Sequence, residues 1–327
     1  MLLFFCLLFV LTKKKQEEML IVPETSATSS GTEVTFDNYA DEEIDPRIFF
    51  DGKSYVLKKN IDSILFIGLD TYGEQEAHEG NINYNQADVL MLVVLDHDTK
   101  TYRTLQINRD TVCEVPMIGA TGDKIGSTLM QIALSHTYGS GMEDSCENTV
   151  EAVTTLLMDA PIEHYVSLTF DSIPIINDKV GGVTVKIPYD MTAADESFTE
   201  GAEVKLQGDQ AEAFVRSRMN LPEPYDTNIY RMERQLSFLA EWRKVAISKM
   251  SSDAGFALDL IGTLSEYMVT DMNGNKLSEL SGYLAEYEDL GTLKIDGESR
   301  VGEKYMEFYC FEDSIKEVVL KLYYDEV

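Results

Sequence analysis

Residues Gln86–Thr111 read QADVLMLVVLDHDTKTYRTLQINRDT, and their pattern decides the fold. An apolar run, Val89 to Leu95, is broken by the polar residues Asp96 to Lys100 and followed by a second strand-like run, Tyr102 to Ile107. This pattern predicts a β-hairpin with Asp88 at its entrance and Arg109-Asp110 at its exit. Because the two ends of an antiparallel pair lie side by side, a carboxylate and a guanidinium 21 positions apart should share one rim of a sheet. Such a rim could hold a divalent metal and a phosphate together. An ordinary Asp–Arg pair closing the hairpin is the alternative.

Upstream, Ser63 to Leu69 (SILFIGL) is a continuous apolar run of strand length ending at Asp70, the pattern of a strand buried on both faces. The polar loop from Thr71 to Gln86 carries Glu74, Glu76 and Glu79, and across it Asp70 and Asp88 could converge. Before these strands, Arg47 to Lys58 should form a hairpin about Asp51-Gly52. Residues 13–45 are rich in Ser, Thr, Glu and Asp and read as a flexible acidic stalk. Residues 1–12, MLLFFCLLFVLT, are apolar but short of the roughly 20 residues that cross a bilayer. They read as a truncated membrane anchor or signal remnant, followed at once by three lysines.

Downstream, Val112 to Gly126 is turn-rich, and Ser127 to Tyr138 has Leu129, Ile132, Ala133 and His136 at helical spacing. That spacing makes His136 a packed residue rather than a base. Glu147 to Met158 predicts a second helix. A strand at Tyr165–Leu168, a helix at Asp171–Lys179 and a strand at Val183–Ile187 suggest a crossover onto a sheet covered on both faces. The fold class is therefore α/β, a three-layer α-β-α sandwich with a mixed central sheet. Residues 46–245 form the main domain. Residues 246–327 complete it with a largely helical stretch from Lys244 to Gly291, a strand pair at Thr292–Ile295 and Tyr305–Tyr309, and a helix at Asp313–Leu322.

A helix from Lys205 to Met219 runs into Arg216 and Arg218, which point to one side if the chain becomes extended there. Arg231, Arg234 and Gln235 follow in NIYRMERQ, at i, i+3 and i+4 on one helix face. Arginine is the side chain whose planar fork best fits phosphate oxygens. The net charge of −30 argues against a surface that binds nucleic acid as a whole, so an anionic ligand needs such a local basic pocket. The four cysteines show no zinc spacing, and Cys113 and Cys146 read as free buried thiols or as a pair in an oxidising compartment.

Taken together, ILFIGLD, QADVLMLVVLD, LQINRDT, HTYGSG, YVSLTFDSIPIINDKVGGVTVKIP, GDQAEAFVRSRM and NIYRMERQ resemble the LytR-CpsA-Psr family in this order, over roughly Lys53 to Trp242. The resemblance implies a membrane-anchored bacterial enzyme on the extracytoplasmic face of the cell membrane. It would be a phosphotransferase moving an anionic glycopolymer, of teichoic acid or capsular type, from an undecaprenyl-pyrophosphate carrier to peptidoglycan. By the same resemblance, Asp70 and Asp88 match the positions that place Mg2+. Arg109, Arg216, Arg218, Arg231 and Gln235 match those that grip the pyrophosphate, with Arg234 in the same motif. Asp88 and Arg109 would be catalytic, Asp88 orienting or deprotonating the sugar hydroxyl. The lipid tail would need an apolar channel between sheet and helices, which Ser63–Leu69 and Val89–Leu95 could line. Gln86-Ala87 and Asn108 depart from the family's usual Arg-Ser and Pro, which removes one basic contact. The length of the loop leaves Glu76 as an alternative to Asp70, and the insert NLPEPYDT separates Arg218 from Arg231. A hydrolase that passes the pyrophosphate to water, or a non-catalytic binder of polyprenyl phosphates, would use the same residues.

Overall fold

A computed structural model describes residues 47–327 apart from 120, 219–220, 222–226, 254 and 303–304. The expected anchor at 1–12 and stalk at 13–45 lie outside the described residues, as does most of the NLPEPYDT insert.

The chain opens with the hairpin β1 (Arg47–Phe50) and β2 (Lys53–Leu57), closed by Asp51-Gly52 as expected. Strands β3 (Ile61–Leu69), β4 (Ala87–Asp96) and β5 (Thr101–Ile107) follow, and then β6 (Val112–Ile118) and β7 (Lys124–Gln131). A 3-10 turn at Ile132–Thr137 leads into α1 (Glu143–Leu156). Next come β8 (His164–Leu168), α2 (Ser172–Lys179), β9 (Thr184–Lys186), β10 (Glu203–Lys205), α3 (Asp209–Arg216) and the long α4 (Asn228–Ser252). The last part holds α5 (Phe256–Leu264), β11 (Met268–Thr270), α6 (Gly274–Glu286), β12 (Glu288–Lys294), β13 (Gly297–Val301), β14 (Met306–Cys310), α7 (Glu312–Tyr323) and β15 (Tyr324–Glu326).

Among the described residues, a six-stranded sheet in the order β11-β8-β3-β4-β5-β12 forms the middle layer. It is mixed: β3, β4 and β5 are antiparallel neighbours, whereas β8 runs parallel to β3 and β12 parallel to β5. The period-2 alternation of side chains divides the core into two faces. Leu65, Ile67, Leu90, Leu92 and Val94 pack with Ala152 and Val153 of α1 and Val318 and Leu322 of α7. Ile64, Phe66, Met91, Val93 and Leu95 pack with Leu277, Leu280 and Leu284 of α6. Strands buried on both faces are what continuous apolar runs predict, and the three-layer α/β class stands. Among the described residues no helix is long and apolar enough to cross a membrane.

Several local expectations do not hold. Ser127 to Tyr138 is not an α-helix: β7 takes its first half by pairing along β6, and only the 3-10 turn remains helical. Leu129 is 70% exposed on β7, whereas Ile132, Ala133 and His136 are fully buried in the 3-10 turn. The hairpin buries Cys113 and Val115 of β6 and leaves most of β7 exposed, so β7 carries no clean apolar period to read. The crossover at Val183–Ile187 does not reach the main sheet, because β9 pairs with β10 instead. The stretch containing Thr292–Ile295 does not pair with Tyr305–Tyr309. It belongs to β12, an edge of the main sheet, while β14 pairs with β13. The largely helical Lys244–Gly291 stretch is interrupted by β11, the other edge of that sheet. β11 has only three residues, too few to show a pattern, and β12 (EDLGTLK) is exposed along most of its length and carries no apolar alternation.

Candidate active site

The antiparallel register brings the first site residues together. Leu69 faces Ala87 and Leu90 faces Ile107, so Asp70, Asp88 and Arg109 emerge from three adjacent strands at one rim of the sheet. The Asp70 amide donates to the Gln86 carbonyl at 2.8 Å, which fixes the step. The pairing is shifted by a bulge between Gly68 and Leu69, where a Cβ on Gly68 would come within 2.9 Å of the Val89 Cβ. Only glycine allows that approach.

The other arginines arrive from helices. Arg216 ends α3, and Ser217 leaves the helix with φ −55° and ψ 132°, so Arg218 sits in extended chain beside it. Arg231 lies in the first turn of α4. Asp70, Asp88, Arg109, Arg216, Arg218 and Arg231 line one hollow of about 410 Å³ together with Glu212.

Asp88 is the hub. One carboxylate oxygen meets Nη1 of Arg109, and the other accepts from Nη1 of Arg231 at 2.7 Å. Arg231 also donates to the Asp88 backbone carbonyl at 3.2 Å. Arg109 donates in addition to the Gln86 side-chain carbonyl and stands 3.6 Å from the Asp110 carboxylate. Asp70 is 3.4 Å from Nη2 of Arg216. Burial and the neighbouring Arg231 cation push the Arg109 guanidinium down to about 10, and burial with Arg218 does the same to Arg231. Both remain charged at neutral pH, in surroundings that disfavour crowded cations and would welcome an anion. The buried Nε atoms of Arg109 and Arg231 have no hydrogen-bond acceptor among the described residues. The Arg218 guanidinium makes no hydrogen bond or ion pair there either. A hollow lined by four arginines, one of them the uncommitted Arg218, is where an anion with several oxygens would bind.

The remaining candidates separate. Gln235 does not line the hollow; its amide lies within about 3.4 Å of the Val215 carbonyl and Gln106, in the wall of an adjoining groove. Arg234 turns away entirely. It donates to the carbonyls of Phe214 (2.8 Å) and Ser217 and to the Tyr189 hydroxyl, pinning the end of α3 to α4. Glu76 is exposed on its loop, whose neighbour Gln75 is tied by hydrogen bonds to Ser167 and Tyr267, and it does not line the hollow. His136 is fully buried, its Nδ1 3.1 Å from the Asn85 carbonyl. Cys113 and Cys146 are free, and burial pushes both thiols up to about 12. Sequence reasoning missed Glu212, whose spacing of four residues from Arg216 was the available signal, and the contact of Gln86 with Arg109.

The groove is apolar and lies between the sheet and α2 and α4. Phe66, Val89, Val166, Ile173 and Phe238 contribute to its lining, and it shares Asp88, Arg216 and Arg231 with the hollow. Part of the expected Ser63–Leu69 and Val89–Leu95 lining is present, from Phe66 to Leu69 and at Val89 and Met91.

An α/β sandwich whose sheet rim carries an arginine-lined anion hollow, opening into an apolar groove, defines a domain suited to amphiphilic anions. The chain belongs to the LytR_cpsA_psr family, whose model matches residues 23–322. It is 30% identical over 253 residues to the polyisoprenyl-teichoic acid–peptidoglycan teichoic acid transferase TagV of Bacillus subtilis (strain 168). That match covers 74% of this chain and 58% of the relative, so the chain spans less than two thirds of that protein. A transferase of the same description, TagU of Bacillus mycoides (strain KBAB4), is 26% identical over 256 residues, covering 78% of this chain and 75% of the relative. The crystal structure of B. subtilis TagV superposes with a TM-score of 0.57 at 26% identity, covering 81% of this chain and 97% of that one.

Proposed function

We propose that this protein is a phosphotransferase that moves a glycopolymer from a polyprenyl-pyrophosphate carrier to peptidoglycan on the extracytoplasmic face of the cell membrane. The observation that carries this reading is the junction of hollow and groove. Asp88, Arg216 and Arg231 line both, so a diphosphate gripped by arginines has an apolar path for its prenyl chain beside it. The named activity of TagV and TagU supports the glycopolymer and the acceptor.

Asp88 and Asp70 are engaged by guanidiniums in this structure. A diphosphate that takes over Arg109, Arg216, Arg218 and Arg231 releases both carboxylates. Among the described residues there is no group of three or more His, Cys, Asp or Glu that could hold a metal. Two carboxylates beside a phosphate site fit magnesium, which binds through one or two carboxylates and completes its octahedron with phosphate oxygens and water. Asp70 and Asp88 would hold the ion, which when bound would neutralise charge on the diphosphate.

In the reaction, an acceptor sugar hydroxyl attacks the phosphorus that bears the glycopolymer, and the bridging P–O bond breaks. Prenyl monophosphate departs. Asp88 accepts the hydroxyl proton, while the arginines hold the oxygens that gain charge. No covalent enzyme intermediate is required.

The test is product analysis. The full chain is incubated with a prenyl-pyrophosphate-linked glycopolymer, magnesium and peptidoglycan, with Asp88→Asn and Arg109→Ala beside it. Polymer joined to peptidoglycan through phosphate, and lost in both variants, is the expected result. Free polymer phosphate formed equally well without acceptor would instead mark a hydrolase, and binding without turnover a non-catalytic protein.

A further inference from the structure

The hollow contains one carboxylate that phosphotransfer does not use. Glu212 lies one helical turn before Arg216 on α3, and Nη1 of Arg216 donates to its Oε1 at 3.0 Å. The same Nη1 donates to the Tyr72 hydroxyl at 2.5 Å, and that hydroxyl donates in turn to Glu212 Oε1. The guanidinium rests against the Phe170 ring, 4.1 Å from its centroid, with the Tyr72 ring at 5.4 Å. An i,i+4 pair on a solvated helix face contributes only tenths of a kcal/mol. This one differs in place: the Glu212 side chain is only 16% exposed and lines the hollow itself.

On the diphosphate reading above, on which this inference rests, Arg216 stands where the hollow meets the groove and must turn to phosphate. Glu212 opposes that, because it occupies the edge of Arg216 that a phosphate would use. We infer that Glu212, held in place by Tyr72, is an internal competitor for Arg216 that limits how tightly the site holds a prenyl diphosphate. The role suits a site that must let go of an anionic prenyl phosphate after every turnover, since product release limits many enzymes. Glu212 touches the reaction only through Arg216 and is a positioning residue.

The experiment is calorimetric titration of the full chain with farnesyl diphosphate at fixed salt. Glu212→Gln should bind about 5- to 10-fold more tightly than wild type, the scale of one partly buried ion pair. Glu212→Ala should tighten in the same direction, and serves if the glutamine variant folds poorly. Arg216→Ala and the double variant Arg216→Ala/Glu212→Gln should agree within about twofold, because no guanidinium remains to compete for. Unchanged or weaker binding by Glu212→Gln and Glu212→Ala, with the wild type binding, overturns the competitor role alone. So does an equal gain in the Arg216→Ala background, which would be a general charge effect. A wild type that does not bind farnesyl diphosphate removes the diphosphate reading, and this inference with it.

Discussion

Arg231 grips Asp88 twice, through Nη1 to the carboxylate at 2.7 Å and through a second nitrogen to the backbone carbonyl at 3.2 Å, with the two side chains only 4% and 6% exposed. The helix that carries Arg231 is thereby fastened to the strand that carries Asp88. Losing Arg231 would leave a buried carboxylate with Arg109 as its remaining partner. Arg231→Ala should therefore lower the free energy of unfolding by about 3–5 kcal/mol, and Arg231→Lys should recover only part, having no fork to span both acceptors. Urea denaturation measures both, and a change within about 0.5 kcal/mol for alanine would contradict the pairing.

Arg218 contrasts with it. It lines the same hollow but its guanidinium has no partner among the described residues. Its replacement by alanine should leave the unfolding midpoint nearly unchanged and weaken farnesyl diphosphate binding about 10-fold or more, the loss of a charge-assisted contact to phosphate. A stability loss as large as that of Arg231→Ala would show that Arg218 is structural.

For Arg234 the opposite separation is expected. Its three contacts hold Phe214, Ser217 and Tyr189, so Arg234→Ala strands buried acceptors and loosens the segment that presents Arg216 and Arg218. The variant should lose about 2–4 kcal/mol of stability and bind diphosphate more weakly as a consequence. Adding a high concentration of farnesyl diphosphate should raise its melting temperature if the site still assembles. Unchanged stability together with weaker diphosphate binding would instead place Arg234 in the ligand contact itself.

The groove makes a prediction about chain recognition. Ile173 is half-buried in its wall, and Ile173→Trp fills apolar space in the groove while leaving every arginine in the sequence. Affinity for farnesyl diphosphate should fall by about 10-fold while that for inorganic pyrophosphate stays within about twofold, because only the former buries apolar surface there. Equal losses for both ligands would mean that the groove does not take the prenyl chain.

His136 supplies a pH dependence. Burial lowers its pKa from the ordinary histidine value to about 4, with the Nδ1 hydrogen bond to the Asn85 carbonyl opposing. The Cys146 thiol, kept protonated by burial, faces Nε2 at 3.7 Å. The unfolded chain therefore binds a proton that the folded chain refuses. The contribution of this group is fully present above about pH 6.5 and is lost as the pH falls towards 4, on the order of 3 kcal/mol in total. An imidazole NMR midpoint close to 4, with stability falling over the same interval, is the expected pair of results. A midpoint at or above 6.5 would contradict the burial argument.

The central hairpin and the meeting of Asp70, Asp88 and Arg109 were legible in the linear chain. Strands buried on both faces write themselves as unbroken apolar runs, and an antiparallel register then fixes which residues share a rim. The Arg216–Arg218 pair was legible as well, since i, i+2 in extended chain is a local geometry. The sequence by itself therefore determined the layers of the fold and which residue types could reach a common anion. Three-dimensional packing alone decided that Arg234 and Gln235 leave the donor row, that Glu76 stays outside, and that Glu212 with Tyr72 contests Arg216. It also decided the pairing of β7, β11 and β12. The physical reason is the same in each case: such choices rest on contacts between residues far apart in the chain, whose energies exceed local propensity and leave no period to read.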